Sequence, residues 1–275
     1  MIALAPLVLA LAAASAASAP AVLPLRPYLA RQATINVAIG GRTGTFLFDT
    51  GEGTTAIGPE FARSIGCRPW GRITGYRMSG EALGAAHCDG LAMDVSGRRF
   101  AVPTAIVFDI GALIGSGVPH VDGAVGLDAF AGETITIVPR ACIIVENAAS
   151  LAARIPHATA LPVRIVRDAE GTALSVDGAV PTPDGTAWME LDTGNGGSNV
   201  VANVIAPLLG LAPNIATAVD GTFALANGIA VRGPLRTRDL ILDGDIGARF
   251  LNDWTLTLDL ANGRAWMAPA TPRCA

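Results

Sequence analysis

Apolar and polar positions along the chain predict strands in two places, and each predicted strand leads into the same three residues. The stretch 37–48 precedes an Asp-Thr-Gly at 49–51, and the stretch 188–191 precedes a second Asp-Thr-Gly at 192–194. Their β-branched and aromatic content and their short length fit strands better than helices. The chain therefore presents the same turn residues at the ends of two predicted strands.

The segments after each Asp-Thr-Gly also repeat. Residues 59–66 (PEFARSIG) and 200–210 (VVANVIAPLLG) predict a short helix in each half. Further downstream, residues 122–130 (DGAVGLDAF) and 243–251 (DGDIGARFL) share an Asp-Gly followed by a Gly and a Phe. Such internal similarity predicts that the chain consists of two copies of one structural unit.

Each repeat closes with two consecutive apolar runs separated by turn residues, at 134–145 and 255–269. This arrangement predicts a hairpin at the end of each half. Residues 149–159 are small or polar and contain a proline, so we predict a linker there. The boundaries that follow are a first half at 26–148 and a second half at 160–270.

The two halves differ in length between their markers. Asp49 is 77 residues from Gly126, whereas Asp192 is 55 residues from Gly247, so the first half carries 22 additional residues. The glycine-rich, polar segment from Trp70 to His87 accounts for most of them. It predicts an exposed, mobile hairpin or loop.

Composition excludes several classes of function. The 275 residues are 51% hydrophobic and 15% charged, which is incompatible with a disordered chain. The net charge is −4 without a basic block, so nucleic acid is not an expected partner. All 19 basic residues are arginine, which excludes Schiff-base, Ser-Lys and P-loop lysine chemistry. The three histidines are scattered, so neither a zinc site nor a Ser-His pair is expected.

The first residues resemble a secretory signal. Residues 2–19 form an apolar run that ends in Ala/Ser repeats, and cleavage after Ala16 or Ala19 fits an A-x-A site. We predict a signal peptide at 1–19, although the segment before the apolar run carries no Lys or Arg. The alternative is an uncleaved membrane anchor. No later segment is long and apolar enough to cross a membrane, so we expect no stable insertion after cleavage.

Four cysteines follow this segment, and an even number in an exported chain indicates two disulfides. Three pairings are possible. We predict Cys67–Cys88, which closes a local loop, and Cys142–Cys274, which ties the tail to the end of the first half. The alternative is reduced, buried thiols, and the spacings match no zinc motif. Together these features predict an exported protein, either periplasmic or secreted.

The paired Asp-Thr-Gly motifs, each with an apolar-apolar-Gly marker downstream, resemble those of the aspartic peptidases of the pepsin and retropepsin type. The resemblance extends over about residues 30 to 270. It implies an all-β, two-lobed, pepsin-like fold produced by internal duplication, with short helices. It also implies an active cleft between the lobes, no metal, and no organic cofactor.

The resemblance identifies Asp49 and Asp192 as the catalytic residues. Metal-free peptide hydrolysis needs an activated water and a proton for the leaving nitrogen. Two close carboxyl groups cannot both ionise cheaply, so the pair retains one proton over a range of pH. One residue then acts as general base while the other polarises the substrate carbonyl. The sequence leaves open which residue takes which role.

Four neighbouring residues support the pair in the family that the chain resembles. There the threonine, here Thr50 and Thr193, bonds across the lobe interface and stiffens the dyad. Gly51 and Gly194 allow the backbone to approach the carboxylates and donate N–H groups to them.

Substrate contacts are expected from a hairpin of the first lobe. In the family this hairpin often carries an aromatic residue, and Tyr76 or Trp70 is the candidate here. The alternative is that either residue is simply a core or surface aromatic.

Departures from the family pattern follow each motif. The next residue is usually Ser, Thr or Ala, but here it is Glu52 and Asn195. Asn195 can still donate a hydrogen bond, and we include it among the substrate-binding candidates. We interpret Glu52 as solvent-facing, with a pH-tuning role or a loss of activity as alternatives. Asp245 replaces an apolar residue of the second marker and places a charge near that crossing.

Three hypotheses for function follow. The first is an exported aspartic endopeptidase that cleaves extended peptide or protein substrates. The second is a non-catalytic pepsin-like module that binds peptide or cell-envelope polymer. The third is an envelope structural protein whose Asp-Thr-Gly turns are accidental. Because one chain supplies both aspartates, we expect a monomer.

Overall fold

The computed structural model describes residues 19–115, 117–271 and 273–274, and the predicted signal peptide lies outside this range except for Ala19. The strands are β1 Ala21–Tyr28, β2 Gln32–Ile39, β3 Arg42–Phe48, β4 Ala56–Ile57, β5 Trp70–Tyr76, β6 Ala82–Val95, β7 Arg98–Val107, β8 Gly123–Val125, β9 Thr134–Val138, β10 Cys142–Val145, β11 Thr159–Leu161, β12 Val163–Val166, β13 Ser175–Thr182, β14 Gly185–Asp192, β15 Asn199–Ala202, β16 Val219–Ala224, β17 Ala230–Arg238, β18 Gly244–Gly247, β19 Trp254–Asp259 and β20 Arg264–Pro269.

Short helices connect some of these strands. The α-helices are α1 Pro59–Ser64, α2 Ile110–Ile114, α3 Ala148–Arg154 and α4 Ala248–Leu251, and the 3₁₀ turns are Leu127–Phe130, Ile155–His157, Ala169–Gly171 and Ala206–Leu209. The strands form one 13-stranded and one 7-stranded sheet. The predicted all-β class with short helices is therefore confirmed.

The duplication is visible in the order and direction of the strands. In the first half the order is β2-β3-β8-β4-β7, and in the second it is β13-β14-β18-β15-β17. In both copies the second and third strands run parallel, the third and fourth antiparallel, and the fourth and fifth parallel. This shared pattern of crossings confirms that the chain is built twice.

The additional residues of the first half form a hairpin. Strand β5 pairs antiparallel with β6, which in turn pairs with β7, whereas β16 and β17 form the corresponding edge of the second half. The predicted hairpin around 70–87 is therefore formed by β5 and the first part of β6, which pair with each other. It extends the edge of the first sheet by β5 and the first part of β6.

Both halves contribute to a shared set of strands. The two predicted closing hairpins are confirmed as β9–β10 and β19–β20, and β9 pairs antiparallel with β19. The second half's closing hairpin therefore belongs to the first half's sheet, which joins the two lobes through backbone hydrogen bonds. The segment predicted as the linker contains α3 and a 3₁₀ turn, capped by Asn147, whose side chain accepts from Ser150 N.

Two local predictions needed correction. Residues 37–48 are two strands rather than one, because Gly40 and Gly41 adopt φ of 57° and 78° and turn the chain back. The helix predicted at 200–210 is only the 3₁₀ turn Ala206–Leu209, and its first part is β15. Val200 and Val201 are buried there between neighbouring strands, and β-branched residues favour that environment. The first helix is confirmed as α1.

Both predicted disulfides are present. Cys67–Cys88 joins residues 21 apart at a Cα–Cα distance of 6.2 Å, and Cys142–Cys274 joins residues 132 apart at 6.1 Å. Such bonds are typical of proteins outside the cytosol. Among the residues that the structure describes, no helix is long and apolar enough to cross a membrane.

The loop lengths predict unequal contributions of the two disulfides to stability. Chain entropy assigns about 3 kcal/mol to the shorter loop and about 5 kcal/mol to the longer one. We therefore expect Cys142→Ser/Cys274→Ser to lower the urea midpoint and the melting temperature more than Cys67→Ser/Cys88→Ser. Equal losses, or a larger loss for the 67–88 pair, would contradict this order.

Candidate active site

The two aspartates occupy equivalent points at the ends of β3 and β14. Asp49 N donates to Val125 O of β8 at 3.1 Å, and Asp192 lies in register with Gly247 of β18. Phe48, immediately before Asp49, is fully buried and packs edge-on against Phe130 with ring centroids 6.3 Å apart. Each carboxyl group is thereby anchored by a parallel strand pair in its own lobe.

Thr50 and Thr193 connect the two lobes by reciprocal hydrogen bonds. Thr50 N donates to Thr193 Oγ1 at 3.0 Å, and Thr193 N donates to Thr50 Oγ1 at 2.9 Å. Each hydroxyl then donates further, from Thr50 to Leu191 O at 2.5 Å and from Thr193 to Phe48 O at 3.3 Å. The sites predicted as supporting residues thus form a closed hydrogen-bonded ring across the lobe interface.

The glycines of the two motifs let the carboxyl groups approach each other. Gly51 N donates to Asp49 Oδ1 at 2.9 Å, and Gly194 N donates to Asp192 Oδ1 at 2.6 Å. A Cβ on Gly51 would lie 2.5 Å from Asp192 Cγ, and one on Gly194 would overlap the Asp49 carboxyl group. No residue with a side chain fits at either position without moving the opposite aspartate.

The Asp49 and Asp192 carboxyl groups lie within hydrogen-bonding reach of each other. Burial, then the charge of Asp192, then that of Glu52 raise the pKa of Asp49 well above its usual range. Burial and these neighbouring charges therefore favour the protonated form of Asp49. Because the two acids meet, the hypothesis that the Asp-Thr-Gly turns are accidental is wrong.

Further contacts hold the second motif against the first lobe, and the sequence analysis did not identify them. Gln32 Nε2 donates to Gly194 O at 2.5 Å, and Arg31 Nη1 donates to Gly196 O at 2.9 Å. Asn252 Nδ2 donates to Arg31 O at 2.9 Å. These residues lie on β2, just before it, and after α4, far from either motif, so no local pattern marks them.

Glu52 is not a solvent-facing residue, contrary to the preferred interpretation of the sequence. It is partly buried beside the dyad, and burial, then the charges of Asp192 and Asp128, raise the pKa of Glu52 to about 8. Asp128 lies in the first marker segment, where it accepts from Thr55 N at 2.9 Å and Thr55 Oγ1 at 2.7 Å. Burial raises the pKa of Asp128 to about 6.

Asn195 turns its side chain into the second lobe, away from a substrate-binding role. Its backbone N donates to Asp192 Oδ1 at 3.1 Å, whereas its Nδ2 donates to Ser198 O and Asp245 Oδ1, both at 3.1 Å. The side-chain NH₂ group of Asn195 therefore forms its hydrogen bonds within the protein. The Asn195 side chain therefore does not donate a hydrogen bond to the aspartate in place of the family's Ser or Thr.

The β5–β6 hairpin reaches the second lobe. Ile241 N, in the loop between β17 and β18, donates to Met78 O in the hairpin turn at 3.0 Å. A Cβ on Gly80 in the same turn would lie 3.1 Å from Ile241 Cγ2. The hairpin therefore bridges the two lobes, as expected of a segment that covers the cleft.

The two candidate aromatic residues of this hairpin are largely exposed to solvent. Tyr76 is 65% exposed and Trp70 is 61% exposed. Trp70 Nε1 donates to Asp89 Oδ2 at 3.0 Å, and its ring lies 4.5 Å from that of His87. The structure thus brings Trp70 together with residues at the base of the hairpin rather than with the dyad.

In the described part of the chain, no group of three or more His, Cys, Asp or Glu side chains is arranged to hold a metal ion. The acids around the dyad instead interact with one another and with hydrogen-bond donors of the protein.

Comparisons with solved structures identify the architecture. The chain matches an aspartic proteinase from Irpex lacteus with a TM-score of 0.55 and 13% identity, covering 94% of this chain and 99% of that one. It also matches basic 7S globulin from soybean, with a TM-score of 0.56, 13% identity and coverage of 90% and 94%. Conglutin gamma from lupine seeds matches at 0.54, with 11% identity and coverage of 91% and 94%.

The chain has the pepsin-like fold. No protein-family profile and no curated protein matches its sequence. The pepsin-like architecture is shared by proteins described as a proteinase and as globulins, so it is the geometry of the dyad that must support any statement about catalysis.

The reciprocal threonine bonds predict a specific stability loss in this pepsin-like core. Thr50→Val keeps the side-chain shape but leaves Thr193 N without its acceptor, which should cost about 1–3 kcal/mol in the free energy of unfolding. Thr50→Ser retains the hydroxyl and is the matched control, with a smaller loss. Denaturant unfolding of both variants provides the measurement, and equal losses would show that the hydroxyl is not what matters.

The raised pKa of Glu52 predicts that substituting this residue increases stability at high pH. Its pKa is about 8 in the fold against 4.5 for an ordinary glutamate, so the folded state keeps a proton that the unfolded state releases between these values. Wild-type stability therefore falls as the pH rises through this window. We expect Glu52→Gln to raise the melting temperature at pH 8 but not at pH 4. Glu60→Gln, on an exposed side chain, should show no such trend, and a gain independent of pH would refute the interpretation.

Proposed function

We propose that this protein is an aspartic endopeptidase that hydrolyses peptide bonds in extended polypeptides. The observation that carries the proposal is the meeting of Asp49 and Asp192, held in place by the Thr50–Thr193 bonds. Two carboxyl groups in this arrangement provide a base and an acid without a metal. The intact pair, with a backbone N–H donor on each carboxyl group, supports a catalytic role for the site.

Hydrogen bonds assign the roles of the two residues in this proposal, because Asp192 Oδ1 accepts from two backbone N–H groups whereas Asp49 Oδ1 accepts from one. Protonated Asp49 donates a hydrogen bond to the substrate carbonyl and polarises it. Ionised Asp192 accepts a proton from the attacking water, and that proton then passes to the leaving nitrogen. Gly194 N and Asn195 N both donate to Asp192 Oδ1, which stabilises the ionised form required for the base.

An extended substrate fits the arrangement of strands around the dyad. The β5–β6 hairpin covers the cleft, and its contact with Ile241 must open for a chain to enter. Closure over a bound peptide would exclude water and hold the scissile bond against the two acids. Pairing of substrate backbone with strand edges would provide affinity with modest sequence preference.

We further propose that the protein is exported, to the periplasm or the extracellular space, and acts as a monomer. Two disulfides and the signal-like residues 2–19 support export. The monomer follows because one chain supplies both aspartates and both threonines of the site.

A non-catalytic peptide-binding or envelope-polymer-binding module remains the second candidate. It is favoured by the similarity to two proteins described as basic 7S globulins and by the acidic Glu52 beside the dyad. If a broad peptide library remains uncut while a statine-type inhibitor still binds, this second function is the correct one.

Substitution of either aspartate tests the peptidase directly. We expect Asp49→Asn and Asp192→Asn each to reduce kcat/KM for peptide hydrolysis by about 10²–10⁴-fold between pH 3 and pH 8, because each removes a proton-transfer group. Asp184→Asn, in the exposed turn before β14, is the matched control and should retain activity. Hydrolysis that persists in both dyad variants would overturn the proposal.

A further inference from the structure

Asp245 is a buried acid in the second half, at the position that Ala124 occupies in the first half. In the first half, Ala124 of β8 lies in register with Leu47 of β3. In the second half, Asp245 of β18 lies in register with Glu190 of β14. Two apolar residues of one copy are thus replaced by two acids in the other, next to the strand end that carries Asp192.

The hydrogen bonds of Asp245 are incomplete unless it carries a proton. Its side chain is fully buried, and Oδ1 accepts from Asn195 Nδ2 at 3.1 Å. Oδ2 is buried without a hydrogen-bond donor among the residues that the structure describes. The carboxyl group of Asp192 lies within hydrogen-bonding reach. A carboxylate facing another carboxylate is doubly unfavourable, whereas a carboxylic acid can donate to it.

The charges around Asp245 are mostly negative. Asp192 and Glu190 face it from β14, and Asp177 follows on β13 in register with Glu190. Arg238 on β17 is a nearby cation, but it is exposed and its charge is therefore screened by solvent. Arg164 on β12 forms an ion pair with Asp177 at 2.8 Å. Burial, then the charge of Asp192, raise the pKa of Asp245 well above its usual range, and Asn195 and Arg238 oppose the shift only in part.

We propose that Asp245 is a positioning residue that stays protonated and donates a hydrogen bond to Asp192, so that Asp192 is the ionised member of the dyad. This inference rests on the proposed peptidase function and specifies how its base is maintained. A donor to a carboxylate stabilises the charged form. Asp245 supplies this donor in place of the residue after the motif, since the Asn195 amide is engaged by Asp245 and Ser198.

The pH dependence of kcat/KM tests the proposal. Activity appears as the dyad loses its first proton, so loss of the donor should move this acidic limb to higher pH. We expect Asp245→Ala, which restores the first copy's residue, to shift the limb upward by about one pH unit. Asp245→Asn retains an N–H donor and should keep the limb close to that of the wild type.

Glu190→Gln is the matched control for charge. This variant removes the acid that lies in register with Asp245 on the neighbouring strand. The hydrogen bond of the Glu190 side chain is with Ser175. We expect this substitution to leave the acidic limb in place. If Asp245→Ala does not shift the limb, or if Asp245→Asn and Glu190→Gln shift it as much as Asp245→Ala does, the proposed donation is wrong.

A readout independent of catalysis separates this inference from the proposed function. Carboxyl carbon NMR of the wild-type protein should show that Asp245 titrates well above the range of an ordinary aspartate, whose pKa is about 4. Titration of Asp245 near pH 4 would overturn the inference, even in an active enzyme. If the dyad variants show that the protein is not a peptidase, this titration still tests the protonation of Asp245 independently. This measurement also decides the question if Asp245→Ala does not fold.

Discussion

The reciprocal hydrogen bonds between Thr50 and Thr193 are the constraint on which the rest of the structure depends. They satisfy the backbone N–H groups of both residues in the partly buried region where the lobes meet, and the two hydroxyls donate to carbonyl oxygens at the ends of β3 and β14. Buried backbone donors without partners are costly, so neither lobe can move at this point without losing several bonds together. The two aspartates are therefore held together by their neighbours, against their own mutual repulsion.

That repulsion determines the chemistry. Glu52 and Asp245 lie close to the Asp49–Asp192 pair, and Glu190 lies in register with Asp245 on the neighbouring strand. Burial and mutual proximity force these acids to share a small number of charges. Gly194 N and Asn195 N both donate to Asp192 Oδ1, and such donors favour negative charge on the residue that accepts them. The site is thus an acidic cluster in which hydrogen bonds decide where the charge resides.

Patterns that are local in sequence were predicted well. The turn residues of both Asp-Thr-Gly motifs, the closing hairpins and the extra hairpin follow from alternation and glycine content, which act over a few residues. The helix expected at 200–210 shows the limit of such patterns, because burial between two strands overrides the apolar periodicity there. Glu52 shows a second limit, since a charged residue in a turn indicates exposure, whereas Glu52 is partly buried beside Asp192 of the other half.

By itself the sequence determined the duplication, the all-β class and the identity of the two acids, because each depends on short motifs and their repetition. Only the tertiary structure decided the positions of Gln32, Arg31 and Asn252, which clamp the second motif from distant parts of the chain. It also decided the meeting of Asp245 with Asp192, which are 53 residues apart in the chain. The physical reason is that protonation depends on burial and on neighbours in space, and both arise only when the lobes pack together.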